Sequence, residues 1–326
     1  MRTKSVVIYI IVIVLLFLAD LYLAGSTRLD LTAFFNGDFI LSQIRLPKAL
    51  TAVICGISLP VAGHIMQVVF RNPLAGPYVL GITSGSAFFV GLSIMLSSSA
   101  GIGAFVLGFK ITKVLASVLG SVVCTLFILF LTKKWTSNAF ILIVGLLLGQ
   151  LFGSLVSFLE YFSADKSLKA FVLWSFGTIG TTDYIDLLIM SIISLMSVSF
   201  VMIKRNMLLA LLLGETYSSS IGIDFQKARF SFILISSILV ALCTAFCGPI
   251  AFIGLSVPIM ARMIHKTANQ SQIISACIFI GICVMLLGDI ISQNVLTGQI
   301  LPINLITTLI GSPFVIYLLL SKGIKY

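Results

Sequence analysis

The chain has 326 residues, of which 59% are apolar and 9% charged, with 20 Lys and Arg against 10 Asp and Glu. A soluble domain carries about 25% charged residues, and at a mean hydropathy of +1.19 charge cannot cover the surface, so a water-soluble globule is excluded and lipid is the solvent. The basic residues are too few and too dispersed for a nucleic-acid-binding face.

Apolar runs predict ten membrane spans, near 6–24, 49–69, 78–97, 113–131, 140–162, 184–203, 228–246, 250–264, 272–291 and 303–320. The first follows Arg2 and Lys4 and exceeds the roughly 7–15 apolar residues of a signal peptide, so it is read as an uncleaved span. The stretch 163–183, with Phe171 and Phe176, is expected to dip back as a short interfacial helix. The run 250–264 is short and holds Gly254 and Pro258. The connections leave no room for a soluble domain. The expected fold is all-α, one polytopic transmembrane domain over 1–326 with about ten transmembrane helices.

Placing both termini inside puts 13 basic residues on the cytoplasmic side, among them Arg71, Lys204, Arg205, Lys227, Arg229, Arg262 and Lys266, and seven outside. The asymmetry supports ten spans in a cytoplasmic (inner) membrane with cytoplasmic ends. Spans 2–5 and 7–10 are offset by five, which would relate the two blocks with opposite orientation, as in inverted-repeat transporters.

The sequence has no GxxxxGK[ST] phosphate loop, HExxH or GxSxG elbow. The acids within the spans, Asp20 and Asp289 with Glu160 and Asp186 at span ends, all lie toward the outer side, where an ion-coupled carrier would need acids at the midplane. No catalytic residue, cofactor or metal ligand is expected, and the six cysteines read as buried thiols.

Several segments stand out. Gly145, Gly149 and Gly153 share a face of span 5 and suit either close helix packing or a path wall. His64 lies within span 2 and reads as a packing residue bonded to a carbonyl or hydroxyl. Between Lys204 and Arg229, Leu211-Leu212-Leu213-Gly214-Glu215 is too apolar for a free loop, and Gly222 is placed to stop a short helix. Arg45 and Lys48 flank Pro47 at the outer entry to span 2, and Phe70 to Pro77 forms a two-proline turn at its inner end.

These strings together resemble a known family. Ile44-Arg45-Leu46-Pro47-Lys48, Met66-Gln67, Arg71-Asn72-Pro73-Leu74-Ala75, Val79-Leu80-Gly81-Ile82, Leu213-Gly214-Glu215, Gly248 to Leu255 with Pro258, and Leu301-Pro302 leading to Gly311-Ser312-Pro313 are similar to the iron-chelate and cobalamin permeases, the membrane subunits of type II ABC importers. The resemblance implies a pair of permease subunits, homo- or heterodimeric, two separate ATPase subunits and an extracytoplasmic substrate-binding protein, with an iron–siderophore first among expected cargoes, then haem, then cobalamin. It implies an inner gate at Asn72, Leu74, Thr136, Ser137 and Asn138. It implies an ATPase-coupling helix over Leu213, Gly214, Glu215, Ser219 and Gly222, docking cations at Arg45 and Lys48, and a path along spans 5 and 10. Three positions depart from the pattern: Gln293 where the cobalamin member has a third outer cation, Ile259 where the family has His, and Thr216 where it has a second acid. An ion-coupled secondary transporter is the alternative.

Overall fold

The computed structural model describes residues 3–23, 39–99, 109–134, 137–295 and 300–320. Ten helices match the expected spans: α1 (Thr3–Leu23), α2 (Leu46–Val69), α3 (Ile82–Ser99), α4 (Phe109–Lys134), α5 (Asn138–Tyr161), α7 (Tyr184–Ile203), α10 (Phe225–Cys247), α11 (Ile253–His265), α12 (Gln270–Asn294) and α13 (Ile303–Leu320). Three more lie between them: α6 (Asp165–Ser175), α8 (Arg205–Leu213) and α9 (Glu215–Ser220). Among the described residues seven helices are long and apolar enough to cross a membrane, and Ile82–Leu96, Ile253–His265 and Ile303–Tyr317 are shorter apolar helices. The expected interfacial helix is α6, with Phe171 and Trp174 buried.

Short polar side chains start the helices where the chain re-enters the apolar layer. Ser137 caps α5, Asp224 caps α10 and Asn269 caps α12. Asp183 and Asp186 close a capping box on α7. Pro47 sits in the first turn of α2, where a missing N–H costs nothing, and a π-helical turn, Leu41–Arg45, precedes it.

α2 is the hub, with 83% of its apolar stretch buried, whereas α5 has 17% buried and leaves one flank to lipid or another subunit. Glycines bring its neighbours to backbone contact: a methyl on Gly63 would overlap the Gly254 carbonyl of α11, and one on Gly56 would lie 2.7 Å from the Gly281 oxygen of α12. Contacts follow the five-span offset. α2 packs on α12 as α10 packs on α4, α3 on α4 as α11 on α12, and α3 on α5 as α11 on α13. This is the pairing pattern of an inverted repeat.

The expected span 250–264 is instead a half-length helix. The backbone turns at Gly248 (φ 74) and Phe252 (φ 65), and α11 begins beside Leu59, about 15 Å from the cytoplasmic end of α2 at 1.5 Å per residue. Pro77 reaches the same level from the cytoplasmic side, its Cγ 3.2 Å from where a Gly254 methyl would sit. Two re-entrant segments therefore meet inside the bundle. Asn304 of α13 anchors one of them, its Oδ1 accepting the Ala251 N–H at 2.9 Å.

Candidate gate and coupling site

The turn after α2 is a helix stop of a recognisable kind. Asn72 N–H donates to the Gln67 carbonyl at 3.1 Å and Arg71 N–H to that of Val68 at 3.1 Å, the paired bonds of a Schellman cap. The left-handed position of this cap usually belongs to glycine, yet Arg71 occupies it with φ 49. A left-handed L-residue costs about 1–2 kcal/mol, so the side chain needs a compensating role. Asn72 Oδ1 accepts from Leu74 N–H at 2.9 Å, and Pro73 and Pro77 bracket an exposed Leu74.

Asn138 opens α5 and grips this turn. Its Nδ2 donates to the Phe70 carbonyl at 3.1 Å, and its Oδ1 accepts from Arg229 Nη2 at 2.9 Å. The fully buried Arg229 guanidinium also lies over the Phe70 ring, 5.7 Å from its centroid. Asn138 thus bonds the turn that carries Asn72 and Leu74, and Ser137 serves as the cap of α5. Thr136 lies outside the described residues.

The segment read as one coupling helix is two. Gly214, at φ 121 and ψ 174, breaks the chain between α8 and α9 in a conformation only glycine adopts readily. Ser218, fully buried, ties the corner by donating to the Ala210 and Gly214 carbonyls at 3.0 and 2.7 Å. Arg71 Nε donates to the Leu211 carbonyl at 3.1 Å, and its guanidinium lies against Gly214. Leu213, Glu215, Ser219 and Gly222 face outward and are exposed. In the sequence Arg71 stands out as an inside charge within the two-proline turn and its motif and Arg229 as an inside charge, and neither these contacts nor Ser218 is singled out. An arginine at a helix stop was the available signal for the first.

The outer end departs from expectation. Arg45 and Lys48 are buried rather than presented to a partner. Arg45 Nη1 donates to the Leu21 carbonyl at 2.9 Å, and Lys48 Nζ lies 2.8 Å from Asp289 Oδ1. Asp20 is 2% exposed, and its Oδ1 lies 3.4 Å from Gln293 Nε2. In pairing with Asp289, Lys48 neutralises an acid that the membrane could not otherwise hold.

The remaining site residues divide. Gly145 and Gly149 pack against Gly81, whose added methyl would lie 3.0 Å from Gly149 N, while Gly153 faces open space. His64 is 1% exposed and bonds Gln270 Oε1 through Nε2 at 2.8 Å, which ties α2 to α12. His265 is half-buried with Nε2 3.2 Å from the Tyr9 hydroxyl. Cys55 joins the Cys243 and Cys247 pair, its Sγ 3.6 Å from that of Cys247. Between the two re-entrant segments lies a cavity of about 310 Å³, lined by Tyr78, Thr83, Thr244, Phe252, Asn304 and Thr308 among others.

Short re-entrant segments packed inside a bundle of apolar helices define a polytopic membrane protein. The FecCD transport family model matches residues 7–321, and the chain belongs to that family. It is 32% identical over 291 residues to the hemin transport system permease protein HmuU of Yersinia pestis, covering 86% of this chain and 83% of that one. It is 31% identical over 284 residues to the vitamin B12 import system permease protein BtuC of Vibrio vulnificus, covering 87% and 83%. A solved structure assigned to the metal-chelate type of ABC transporter, in an inward-facing conformation, superposes with a TM-score of 0.85 at 26% identity, covering 98% of this chain and 99% of the other.

Proposed function

We infer that this chain is the permease subunit of an ABC importer that admits a metal chelate or related macrocycle, such as an iron–siderophore, haem or cobalamin, across the cytoplasmic membrane. The observation that carries the reading is the direct tie between the gate turn at Phe70–Pro77 and the α8–α9 corner, through Arg71 and the Leu211 carbonyl. A carrier driven by an ion gradient has no use for a rigid, outward-presented cytoplasmic corner, and it would need a titratable midplane site. Here Asp289 is paired with Lys48. Relatives named for haem and vitamin B12 support the cargo class.

In this reading 1–326 is one transmembrane domain with both termini cytoplasmic. Two ATPase subunits seat on α9 and Glu215. A second permease subunit, a copy or a relative, completes the path against the exposed flank of α5. A binding protein delivers cargo outside. ATP binding moves the α8–α9 corner, the corner moves the gate turn, and Leu74 clears the path. An apolar plug between neutral polar residues closes a channel without trapping a charged cargo.

The test is uptake into proteoliposomes that hold the chain with its ATPase subunits. The expected result is ATP-dependent accumulation of ferric siderophore, haem or cobalamin, insensitive to a protonophore. Accumulation driven by a proton or sodium gradient without ATP would overturn the reading in favour of a secondary transporter.

A further inference from the structure

We propose that Arg71 is the positioning residue that passes displacement of the α8–α9 corner to the gate turn; the proposal rests on the importer reading above. Three observations converge on this side chain. Its backbone is left-handed at a helix stop where glycine would relieve the strain, so arginine is held there against local preference. Its Nε–H takes the Leu211 carbonyl, one of the last-turn acceptors that α8 leaves unused when the chain breaks at Gly214. Its guanidinium occupies the space a side chain at Gly214 would need, with Nη2 3.0 Å and Nη1 3.3 Å from the position of an added Cβ. The same guanidinium lies 6.0 Å from the centroid of the Phe225 ring at the start of α10.

The turn is thus held on two sides by different partners. On one side Arg71 grips the corner that Ser218 makes rigid. On the other, Asn138 and Arg229 hold the carbonyl and ring of Phe70. Leu74 lies three residues beyond Arg71, with Pro73 and the Asn72 side-chain bond stiffening the connection. Movement of the corner relative to α5 must therefore strain one grip or the other. The planar fork of Arg71 fits the corner in a way lysine cannot reproduce, because Nε and the two terminal nitrogens meet different groups there.

Arg71→Gly tests this without the ambiguity of misfolding, since glycine is the residue this cap favours. Arg71→Lys keeps the charge and removes the fork. Each variant would be reconstituted with its ATPase subunits and binding protein, with native cysteines replaced and a spin label on Leu74→Cys. In both variants the ATPase subunits should copurify, and hydrolysis should stay within about twofold of the parent while uptake falls about tenfold, at the upper end of coupling effects. The ATP-dependent change in mobility of the Leu74→Cys label should disappear. Normal uptake with a normal mobility change in Arg71→Gly would overturn the proposal. So would a parallel loss of hydrolysis, uptake and ATPase subunits in both variants, which would make Arg71 a prop for the docking face. If the parent complex shows no ATP-driven uptake, the importer reading fails instead.

Discussion

Lys48 and Asp289 separate a structural ion pair from a docking surface. Their side chains are 10% and 1% exposed, and Nζ lies 2.8 Å from Oδ1. At an effective dielectric near 20 the gross attraction at this distance is about 6 kcal/mol. Much of that offsets the desolvation of both groups, so the net value of the pair is modest. Removing one partner is different, because it strands a buried charge, and cases of this kind cost about 3–5 kcal/mol. Lys48→Met and Asp289→Leu should each destabilise the chain by that amount, while the double variant should recover most of the loss. Denaturant titration of purified chain in mixed micelles, arranged as a double-mutant cycle, reads the coupling directly. Asp20 remains beside the site in every arm of the cycle, with the Gln293 amide facing it, so its contribution cancels to first order. Single variants within about 0.5 kcal/mol of the parent, as at an ordinary surface position, would refute the buried pair. Loss of binding-protein affinity alone would return Lys48 to the docking surface.

Gly63→Ala should lower stability by about 1–3 kcal/mol, because its methyl would overlap the Gly254 carbonyl and push α11 off α2; Gly153→Ala, which meets nothing within 4 Å, should leave thermal stability of the isolated chain unchanged or slightly raised. His64→Leu should cost about 1–3 kcal/mol by leaving the Gln270 amide without its partner, and it should leave cargo preference in the uptake assay unaltered. Asp224 lies outside the membrane, and its carboxyl is held below the usual value chiefly by the Lys227 backbone N–H that it caps. Its stabilising effect is thus present above the unfolded-state pKa of about 3.9 and is lost as pH falls through the lower folded value. Amide exchange at the start of α10 should quicken across that interval, and Asp224→Asn should abolish the dependence.

The spans were legible because lipid leaves only one way to satisfy a buried backbone, and a run of apolar residues reports it directly. Residues 250–264 were the exception. A short run with Gly254 and Pro258 looks like a weak span, whereas its meaning as a half-helix depends on Gly63 of α2 allowing the backbones to touch. The candidate gate residues come from a motif, whereas the bond from Asn138 to the Phe70 carbonyl is visible only in the structure. The partners of Arg45 and Lys48 were not legible, because a basic pair at a span entry looks the same whether it faces water or an acid 241 residues away in sequence, as Lys48 and Asp289 show. The α8–α9 break was concealed in the same way. Gly214 was visible, but its φ of 121 is fixed by Arg71 and Ser218 rather than by its neighbours in the chain.

The two ends of α2 are built from different chemistry, and the difference matches what each must do. Outside, Lys48 meets a carboxylate, and a buried pair of this kind cannot open without stranding a charge. Inside, Arg71, Asn138 and Arg229 meet carbonyl and amide oxygens and aromatic faces, which are neutral partners. A hydrogen bond from a charged donor to a neutral acceptor contributes about 1.5–3 kcal/mol. That is small enough for nucleotide binding in partner subunits to exchange one such contact for another. The turn itself, Phe70 to Pro77, holds no acid that would convert an exchangeable contact into a fixed one. The hub helix is anchored by an ion pair at one end and held by exchangeable contacts at the other, with Pro60 and the glycine contacts at 56 and 63 fixing its middle.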